Sequence, residues 1–429
     1  MFSFIPAEKY CEKVFDGTHE TPKPTNTGYK LITSKHILSG KIDSDNAYYI
    51  SEEDYNSINK RSQVRQWDIL FSMIGSVGNV YLVKKKDINF AIKNMGVFSC
   101  NDKNKALLLY FYLKSPYAKK FIENYLNGAV QKFLSLDMLR NFPIPLFNEN
   151  DKKLYNLLYN IEEKIELNNN ISTSLDTLAK SIYNYWFLQF EFPDANSKSY
   201  KSSGGRMVWN EALKMEVPEG WVVEELGNHI SSNRGISYNS SEILGVGIPM
   251  INLNSFKPDS SYKPDGLKTY SGEYEFSKIL KPYDLVMCNT QQTDLDPEKD
   301  IIGKSFLVPD IFDSKIVSTH HITTLKLDIE NLKYYLNGLF RTQFFHKYIS
   351  GYVSGTSIMG LNFDGVTKFQ FPIPDEKILA KYAALSHNIE AEKNRIIKEN
   401  RELAALRDFL LPMLMNGQVT FKDEKECPA

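Results

Sequence analysis

The sequence predicts an α/β (α+β) protein with two globular units and two long antiparallel helices that form a coiled coil. Residues 148–189 and 375–416 carry apolar side chains at every seventh position, which is typical of long paired helices. Each helix follows the same tetrapeptide, Phe-Pro-Ile-Pro, beginning at Phe142 and at Phe371, an offset of 371 − 142 = 229 residues. The repeat indicates an internal duplication with pseudo-twofold symmetry, with one globular unit before each helix.

The duplicated pattern divides the chain into six parts. One of them, 190–217, is rich in Ser, Asn, Lys and Gly, a composition typical of mobile linkers. The six parts are a first globular unit at 1–147, a central helix at 148–189, the linker at 190–217, a second globular unit at 218–374, a distal helix at 375–416 and a tail at 417–429.

Both globular units alternate short β-like runs with turns and then enter a helix, which predicts compact α/β units. In each unit an aromatic-Asp pair, Trp67-Asp68 or Tyr283-Asp284, leads into a buried strand. The predicted runs are Lys30–Thr33, Ala47–Ile50, Asp68–Ile74 and Asn79–Val83 with a helix at Leu107–Leu126, then Pro249–Asn252 and Pro282–Cys288 with a helix at Asn331–Ile349.

The coiled coil is predicted to bury two positions of each heptad. Asn168 is the polar member of the first position, where such a residue often fixes the register. Antiparallel helices pair at a nearly constant sum of residue numbers, which places Asn168 close to Glu399. The first, or seam, position holds Leu154, Ile161, Asn168, Leu175, Ile182, Ile389, Ile396, Leu403 and Leu410; the companion position holds Leu157, Lys164, Ile171, Leu178, Tyr185, Leu385, Leu406 and Met413.

Composition limits the class of protein. A length of 429 residues predicts two or three domains, and 42% apolar with 24% charged residues is ordinary for a globular protein. No run of 18 apolar residues indicates a membrane span, and the four scattered cysteines are typical of reduced cytosolic thiols. Residues 1–147 carry 20 Lys and Arg against 14 Asp and Glu (+6), whereas residues 218–374 carry 14 against 18 (−4). Any nucleic-acid surface on the second unit must therefore be local.

The sequence predicts neither catalytic residues nor a metal site. Gly303-Lys304-Ser305 resembles the end of a phosphate-binding loop, but Glu298 stands where that motif requires glycine. No Gly-x-Gly-x-x-Gly or Asn-Pro-Pro-aromatic motif is present. His320 and His321, considered with His346 as metal ligands, would point to opposite faces if they lay on a strand.

The chain resembles the specificity subunits of type I restriction–modification systems. The resemblance rests on residues 16–22 (DGTHETP) with 33–36 (TSKH), on 217–227 (VPEGWVVEELG) and on 411–419 (LPMLMNGQV), in this order over the duplicated pattern. It implies a non-catalytic protein of the bacterial or archaeal cytoplasm whose two units are target recognition domains for the halves of a split double-stranded DNA site.

The resemblance also implies partners. The helices would set the spacer between the half-sites and dock methyltransferase subunits, two in number, and motor–endonuclease subunits would join that complex. S-adenosylmethionine, ATP and Mg²⁺ would be used through those other subunits, and this chain itself would hold no cofactor.

DNA-contacting candidates are the polar and basic residues of turns in each unit. Arginines suit bidentate contact with guanine, and Lys84, Lys85 and Lys86 suit phosphates. Ser76 lies in a glycine-rich turn that would allow close approach to a phosphate or simply close a hairpin. The candidates are Thr18, His19, Lys23, Lys35, His36, Lys41, Arg61, Arg65, Ser76, Lys84 and Lys85 in the first unit, and Asn233, Arg234, Gln291, Gln292, Thr293, Lys304 and Arg341 in the second.

A protein–protein adaptor is the alternative. The acidic second unit favours two modules that are held apart by a coiled coil and bind no DNA. A gel shift with and without a methyltransferase partner distinguishes the two hypotheses.

Overall fold

The computed structural model describes residues 3–38, 40–127, 133–146, 151–292 and 299–415. Residues 1–165 with 402–429 form one compact unit, unit 1, and residues 166–401 form another, unit 2. The division passes through both long helices, so each unit contains one globular domain together with part of each helix. The candidate Thr293 and the tail at 417–429 lie outside the described residues. Within the described ranges, no helix has the length and apolar character needed to span a bilayer.

Unit 1 contains eleven described strands, the first five helices and the beginning of the long central helix. The elements are β1 Phe4–Pro6, α1 Ala7–Tyr10, β2 Lys13–Asp16, β3 Tyr29–Thr33, β4 Ile37–Leu38, β5 Lys41–Ile42, β6 Tyr49–Ile50, α2 Glu52–Ser62, β7 Ile69–Ser72, β8 Val80–Leu82, β9 Phe90–Lys93, β10 Met95–Ser99, α3 Lys103–Lys114, α4 Pro116–Asn127, α5 Leu136–Arg140, β11 Pro143–Pro145 and α6 Asp151–Tyr183.

A four-stranded antiparallel sheet, ordered β2-β10-β7-β8, forms the middle layer of unit 1. Ile69 and Phe71 of β7 pack with α3, whereas Leu70 between them packs with the three-stranded sheet β6-β3-β9 on the other face. Successive side chains of a strand point to opposite faces, so a sheet covered on both sides needs the continuous apolar run that β7 provides.

Unit 2 continues the chain from the later part of α6. Its further elements are β12 Met207–Asn210, β13 Met215–Pro218, β14 Val222–Glu225, β15 Ile230–Arg234, β16 Ile248–Ile251, β17 Lys268–Tyr270, β18 Leu285–Cys288, β19 Thr290–Gln292, β20 Ser305–Leu307, β21 Val317–Ser318, β22 Ile322–Leu327, α7 Leu332–Phe340, α8 Gln343–Ser350, β23 Val353–Ser354, β24 Ile358–Leu361, α9 Asp364–Thr367, β25 Gln370–Ile373 and α10 Glu376–Met415.

The predicted duplication is confirmed by the sheet order of unit 2. Its four-stranded sheet runs β15-β22-β18-β20, each strand corresponding in turn to β2, β10, β7 and β8. A three-stranded sheet, β17-β16-β21, repeats β6-β3-β9, including one parallel pair in each. In both units the Phe-Pro-Ile-Pro segment forms a strand, β11 or β25, that pairs with the strand opening its own domain, β1 or β14.

Two predicted helices are each divided in two. The helix expected at Leu107–Leu126 breaks at Ser115, which is extended (φ −68°, ψ 156°) because it precedes Pro116. The helix expected at Asn331–Ile349 breaks at Thr342, whose hydroxyl accepts a hydrogen bond from the Phe345 amide at 3.2 Å and so caps α8.

The stretch 190–217 is not a linker but a folded part of unit 2. Phe190 and Phe192 are buried, and the Phe192 ring stacks on Trp221 at 5.2 Å between centroids. The strands β12 and β13 then form an antiparallel hairpin. The polar composition of 196–205 concealed these aromatic anchors, which fix the segment to the core of its unit.

The helix pair is antiparallel within each unit, and the residues at the predicted seam position are covered. In unit 2, Asn168 donates hydrogen bonds from Nδ2 to Glu399 Oε2 and to Asn400 Oδ1, both at 2.9 Å, as the register predicted. In unit 1, Glu162 pairs with Arg407. The nine seam residues are all buried or half-buried.

The prediction that the companion heptad position is buried was wrong. Leu157, Ile171, Leu178 and Tyr185 of α6 are exposed, as are Leu385 and Leu406 of α10. In unit 1 the buried stripe instead includes Tyr155 and Leu158, which pack into the core of the domain. Because each helix packs on its own domain as well as on its partner helix, its buried face is rotated away from a pure two-helix seam.

Candidate nucleic-acid interface

The strands of the four-stranded sheet in each unit end at two opposite edges, which adjoin different parts of the unit. In unit 1, residues Asp16, Ser72 and Val80 mark one end of β2, β7 and β8, where β10 begins. We call this end, with its turns, the loop edge. We call the opposite end, where β7 begins and β8 ends, the helix edge. Unit 2 has the same two edges, since its strands pair in the same order and directions.

An aromatic turn with left-handed backbone marks the helix edge in both units. Trp67 (φ 71°) and Tyr283 (φ 64°) adopt the same unusual conformation, and the following aspartate accepts a hydrogen bond from the amide two residues before the aromatic, Arg65 or Lys281. The Trp67 ring lies 6.4 Å from Tyr159 of α6. The Tyr283 ring lies 4.7 Å from His387 of α10. Each domain therefore rests on the long helix of its own unit through this turn.

The loop edge of unit 1 gathers several sequence-predicted candidates around a buried carboxylate. Asp16 is buried, and its two oxygens contact Arg61 Nη2 at 2.9 Å and His19 Nε2 at 3.0 Å. The other nitrogen of His19 lies 2.8 Å from Asn94 Oδ1. The side chains of Arg61 and His19 remain 68% and 66% exposed. Both ring nitrogens of His19 are engaged, by Asp16 and Asn94, whereas Arg61 keeps further N–H groups that face solvent.

Other candidates of unit 1 lie on the adjoining turns. Ser34 donates a hydrogen bond to the carbonyl of Asn94 at 2.9 Å, which places the exposed Lys35 at the loop edge. Thr18, bridged to Lys93, and Ser76, after β7, lie there as well. Lys23 is exposed in the loop after His19, and Lys41 is exposed on the β4–β5 hairpin.

A matching glycine holds the first turn of the loop edge in both units. A Cβ added to Gly17 would lie 2.6 Å from the carbonyl oxygen of Ile92, and one added to Gly235 would lie 2.3 Å from that of Ser318. Only glycine allows so close an approach between these backbones. Candidates flank the two glycines, with Thr18 and His19 in unit 1 and Arg234 in unit 2.

The loop edge of unit 2 contains exposed Arg234 and partly exposed Gln291 and Lys304. The amide of Asn233 is used internally, because it donates to the Ser277 carbonyl and accepts from Lys278 Nζ, both at 2.8 Å. Burial lowers the pKa of Lys304. Gln292 belongs to β19, but its side chain is outside the described part of the structure.

A cleft of about 590 Å³ opens at this edge of unit 2, and its lining includes residues of β17, β19 and β24 with the segments that connect the strands. Three lysines line it, Lys263, Lys268 and Lys299, and no carboxylate side chain is among its described lining residues. This is a local basic surface on a domain whose net charge is −4 (14 Lys and Arg, 18 Asp and Glu in 218–374). The net negative charge of the domain therefore does not prevent nucleic acid from binding at this local surface.

Side chains inside the cleft are held by one another. Lys268 Nζ donates to the Tyr238 hydroxyl at 3.3 Å and lies 5.3 Å from the centre of its ring. Thr290 Oγ1 and His321 Nδ1 are 2.6 Å apart. The desolvation of His321, with the nearby His320 ring, lowers its pKa and so favours the neutral form of the ring. His320 and His321 lie in a turn with their rings 3.9 Å apart, which corrects the expectation of opposite faces.

Several candidates do not belong to the loop edge. Arg65 precedes β7, and Lys84 and Lys85 follow β8, so all three lie at the helix edge; Lys84 forms an ion pair with Glu163 of α6. His36 is buried, and its Nδ1 accepts a hydrogen bond from the Thr33 amide at 3.0 Å. Its assignment as a DNA contact is therefore corrected to a structural role in the turn.

Arg341 is also corrected, because its side chain is only 6% exposed and donates from Nη2 to Asp176 Oδ1 at 3.0 Å. Lys393 contacts the same carboxylate oxygen at 2.9 Å and Glu390 at 3.0 Å. Burial would raise the pKa of Asp176, but Lys393 and Arg341 outweigh it and hold that pKa below its usual range. Unit 1 contains a corresponding cluster in which Lys114 and Arg407 both pair with Glu162.

Sequence reasoning missed several residues of this surface. Asp16, Asn94 and Lys278 contact candidates in the folded chain, and Tyr238 and Lys268 contact each other in the cleft. Within the described ranges, no group of three or more His, Cys, Asp or Glu side chains is arranged to hold a metal ion.

Comparison with known proteins identifies similar chains. A family model described as the type I restriction modification DNA specificity domain matches residues 19–177. The type I restriction enzyme MjaIX specificity subunit of Methanocaldococcus jannaschii is 23% identical over 322 residues, 73% of this chain and 69% of the relative. The HindI specificity subunit of Haemophilus influenzae is 22% identical over 408 residues, 84% of this chain and 88% of the relative.

A solved structure supports the fold. The crystal structure of the type I restriction-modification S subunit from M. genitalium superposes with a TM-score of 0.59 at 14% sequence identity. The match covers 99% of this chain and 96% of that one, which supports the fold.

Proposed function

Because the chain belongs to the family of type I restriction–modification DNA specificity subunits, we propose that it reads a split double-stranded DNA target, with one half-site at the loop edge of each unit. The observation that carries the proposal is the presence of exposed cations at this one edge in both units, Lys35 and Arg61 in the first and Arg234 in the second. Cations at this end of the sheet suit both phosphates and the acceptor atoms of guanine.

The two edges of unit 1 supply a matched test. Lys35→Gln with Arg61→Gln removes two positive charges from the loop edge, whereas Arg65→Gln with Lys85→Gln removes the same charge from the helix edge. We expect the first pair to weaken or change recognition of one half-site by roughly tenfold or more, with the other half-site unchanged. We expect the second pair to leave the preference for both half-sites unchanged.

The measurement is methylation of a randomised DNA library by the complex of the chain with its methyltransferase subunits. Thermal unfolding of each variant controls for loss of fold, since Arg61 also pairs with the buried Asp16. Equal effects of the two variant pairs, or a change in both half-sites from the loop-edge pair, would contradict the proposal.

The helices are proposed to dock two methyltransferase subunits and to set the spacer. Support comes from exposed leucines that lie at similar heights along the two antiparallel helices. These are Leu157 with Leu406 in unit 1 and Leu178 with Leu385 in unit 2. The two pairs correspond under the duplication, and exposed apolar side chains aligned on a helix favour protein contact.

Glutamate substitution tests this docking. Leu178→Glu with Leu385→Glu should reduce the bound methyltransferase from two subunits to one, as measured by light scattering of the assembled complex. Val208→Glu, an exposed apolar position on the β12–β13 hairpin, is the control and should keep two. Full occupancy after the Leu178 and Leu385 changes would refute this docking face.

We propose further that the chain performs no catalysis and holds no cofactor. S-adenosylmethionine, ATP and Mg²⁺ would then act through the methyltransferase and motor–endonuclease subunits of a complex in the bacterial or archaeal cytoplasm. Purified chain incubated with DNA and labelled S-adenosylmethionine should transfer no methyl group until the methyltransferase is added.

The adaptor hypothesis predicts the opposite result in one assay. An adaptor would retain its partners but would shift no DNA in a gel, with or without methyltransferase. The basic cleft on the acidic unit 2 favours DNA recognition over the adaptor.

A further inference from the structure

We propose that the cleft of unit 2 reads the major-groove edge of a guanine through Lys268, which Tyr238 positions. The inference rests on the proposed function and assigns to one half-site a base and the residues that recognise it. None of these residues was a candidate from sequence, since Lys268 lies on β17 and Tyr238 follows β15.

The chemistry of the lining selects an acceptor-rich base edge. Guanine presents two acceptors, O6 and N7, in the major groove, whereas cytosine presents a donor that acidic side chains recognise. The described lining has three lysines and no acidic side chain, which disfavours cytosine. Adenine needs a side-chain amide with both its acceptor and its donor available.

Two of the three side-chain amides of the lining are already engaged. Gln291 Oε1 accepts a hydrogen bond from the Ile301 amide at 2.7 Å. Asn252 Oδ1 accepts from the Asn254 amide at 3.0 Å, and its Nδ2 donates to the Gly266 carbonyl. Neither of these two residues can therefore form the two-bond contact that distinguishes adenine. Asn254 is the third amide of the lining, and the three lysines outnumber it as donors.

Lys268 is held in place within the cleft by a side-chain contact. Its ammonium donates to the Tyr238 hydroxyl and lies near the ring of that tyrosine. The contact with Tyr238 orders the flexible side chain before binding, which reduces the entropy lost on contact with a base. Two donor hydrogens of the ammonium remain for O6 and N7.

Phosphate oxygens share the acceptor chemistry of guanine, and the experiment must separate the two. A base contact changes preference at one position, whereas a phosphate contact weakens binding to all sequences and lowers the salt dependence by about one counterion. The assay is library methylation, with affinity titrations at several salt concentrations, by the chain assembled with its methyltransferase subunits.

Lys268→Gln should lose a guanine preference at one position of one half-site by about tenfold or more, with the other half-site unchanged. Lys268→Arg should keep the preference. Tyr238→Phe should weaken preference at the same position, and it separates positioning from folding because the ring is retained. Lys281→Gln removes the same charge at the helix edge and should change nothing, while thermal unfolding of all variants confirms that they fold.

A target with 7-deazaguanine at that position provides the sharpest measurement, because it removes only the N7 acceptor. It should weaken binding by the wild type and have little effect on Lys268→Gln. A uniform loss of affinity in Lys268→Gln with a smaller salt slope would identify a phosphate contact and overturn the inference, as would an unchanged preference. A wild-type complex without any sequence preference would instead refute the proposed function itself.

Discussion

Asp176→Asn tests how the second domain is fixed to the helix pair. Asp176 on α6 pairs with Arg341 at the end of α7 and with Lys393 on α10. Lys393 keeps Glu390 in the variant, but Arg341, with a side chain 6% exposed, would lose its carboxylate. Removing one partner of a buried ion pair costs about 3–5 kcal/mol, because an uncompensated charge remains in a poorly solvated site.

The effect is measurable as a shift in thermal unfolding. For a cooperative unit of 150–250 residues, about 1 kcal/mol lowers Tm by about 2–4 °C, so a loss of about 3 kcal/mol predicts a fall of about 6–12 °C. The matched control is Glu392→Gln, which breaks the exposed pair with Arg395 and should leave Tm nearly unchanged. Arg341→Met in the Asp176→Asn background should recover part of the loss, because it removes the unpaired cation.

The pH dependence gives a second measure. The pKa of Asp176 is lowered in the folded protein, so its stabilising contribution is present above the unfolded pKa of about 3.9 and is lost as pH falls through the lower folded value. The difference between wild type and Asp176→Asn should therefore be full at pH 7 and should shrink only at strongly acidic pH. A Tm for Asp176→Asn within 2 °C of wild type at pH 7 would refute the reasoning.

Three further predictions concern the loop edge and the helix pair. Gly17→Ala should disturb recognition of one half-site and Gly235→Ala that of the other, because each added Cβ would lie within about 2.6 Å of backbone atoms. If library methylation showed that either substitution affects both half-sites, the prediction would be contradicted. Asn168→Asp should destabilise unit 2 by about 3 kcal/mol at pH 7.5, because burial and the neighbouring Glu399 raise the pKa of the new carboxyl group. The loss of stability should become smaller as the pH falls through that raised pKa. Equal losses of Tm at pH 7.5 and at pH 5 would count against this prediction. Seven residues inserted at matched levels of both long helices add about 10 Å and should lengthen the preferred spacer by roughly 3 base pairs at reduced affinity, whereas full activity on the original spacer would exclude a ruler.

The duplicated architecture was predictable because it depends on patterns that the chain repeats. The Phe-Pro-Ile-Pro segments, the aromatic turns at Trp67 and Tyr283 and the register of Asn168 with Glu399 all follow from spacing along the sequence. These features are local or depend on one helix pairing, and so little tertiary information was needed.

The candidate interface was less predictable, because residue type does not determine which edge of a sheet a turn occupies. Arg341 and Arg61 have the same chemistry, yet one is buried against Asp176 and the other is exposed at the loop edge. Lys268 reaches Tyr238 across 30 residues of sequence only because β17 belongs to the sheet that faces the cleft. The companion heptad position failed for a related reason, since Leu158 packs into the domain core and changes which side of α6 is covered.

The separation of the two sheet edges has a consequence for sequence drift. Strands β7 and β18 are four residues long, so about 13 Å of buried sheet lies between the loop edge and the aromatic turn on the helix. Substitutions in the exposed turns change neither this apolar layer nor the contact of Trp67 or Tyr283 with its long helix. The sequences of such turns can diversify while the assembly surface stays constant, and relatives that share little sequence can retain the same fold.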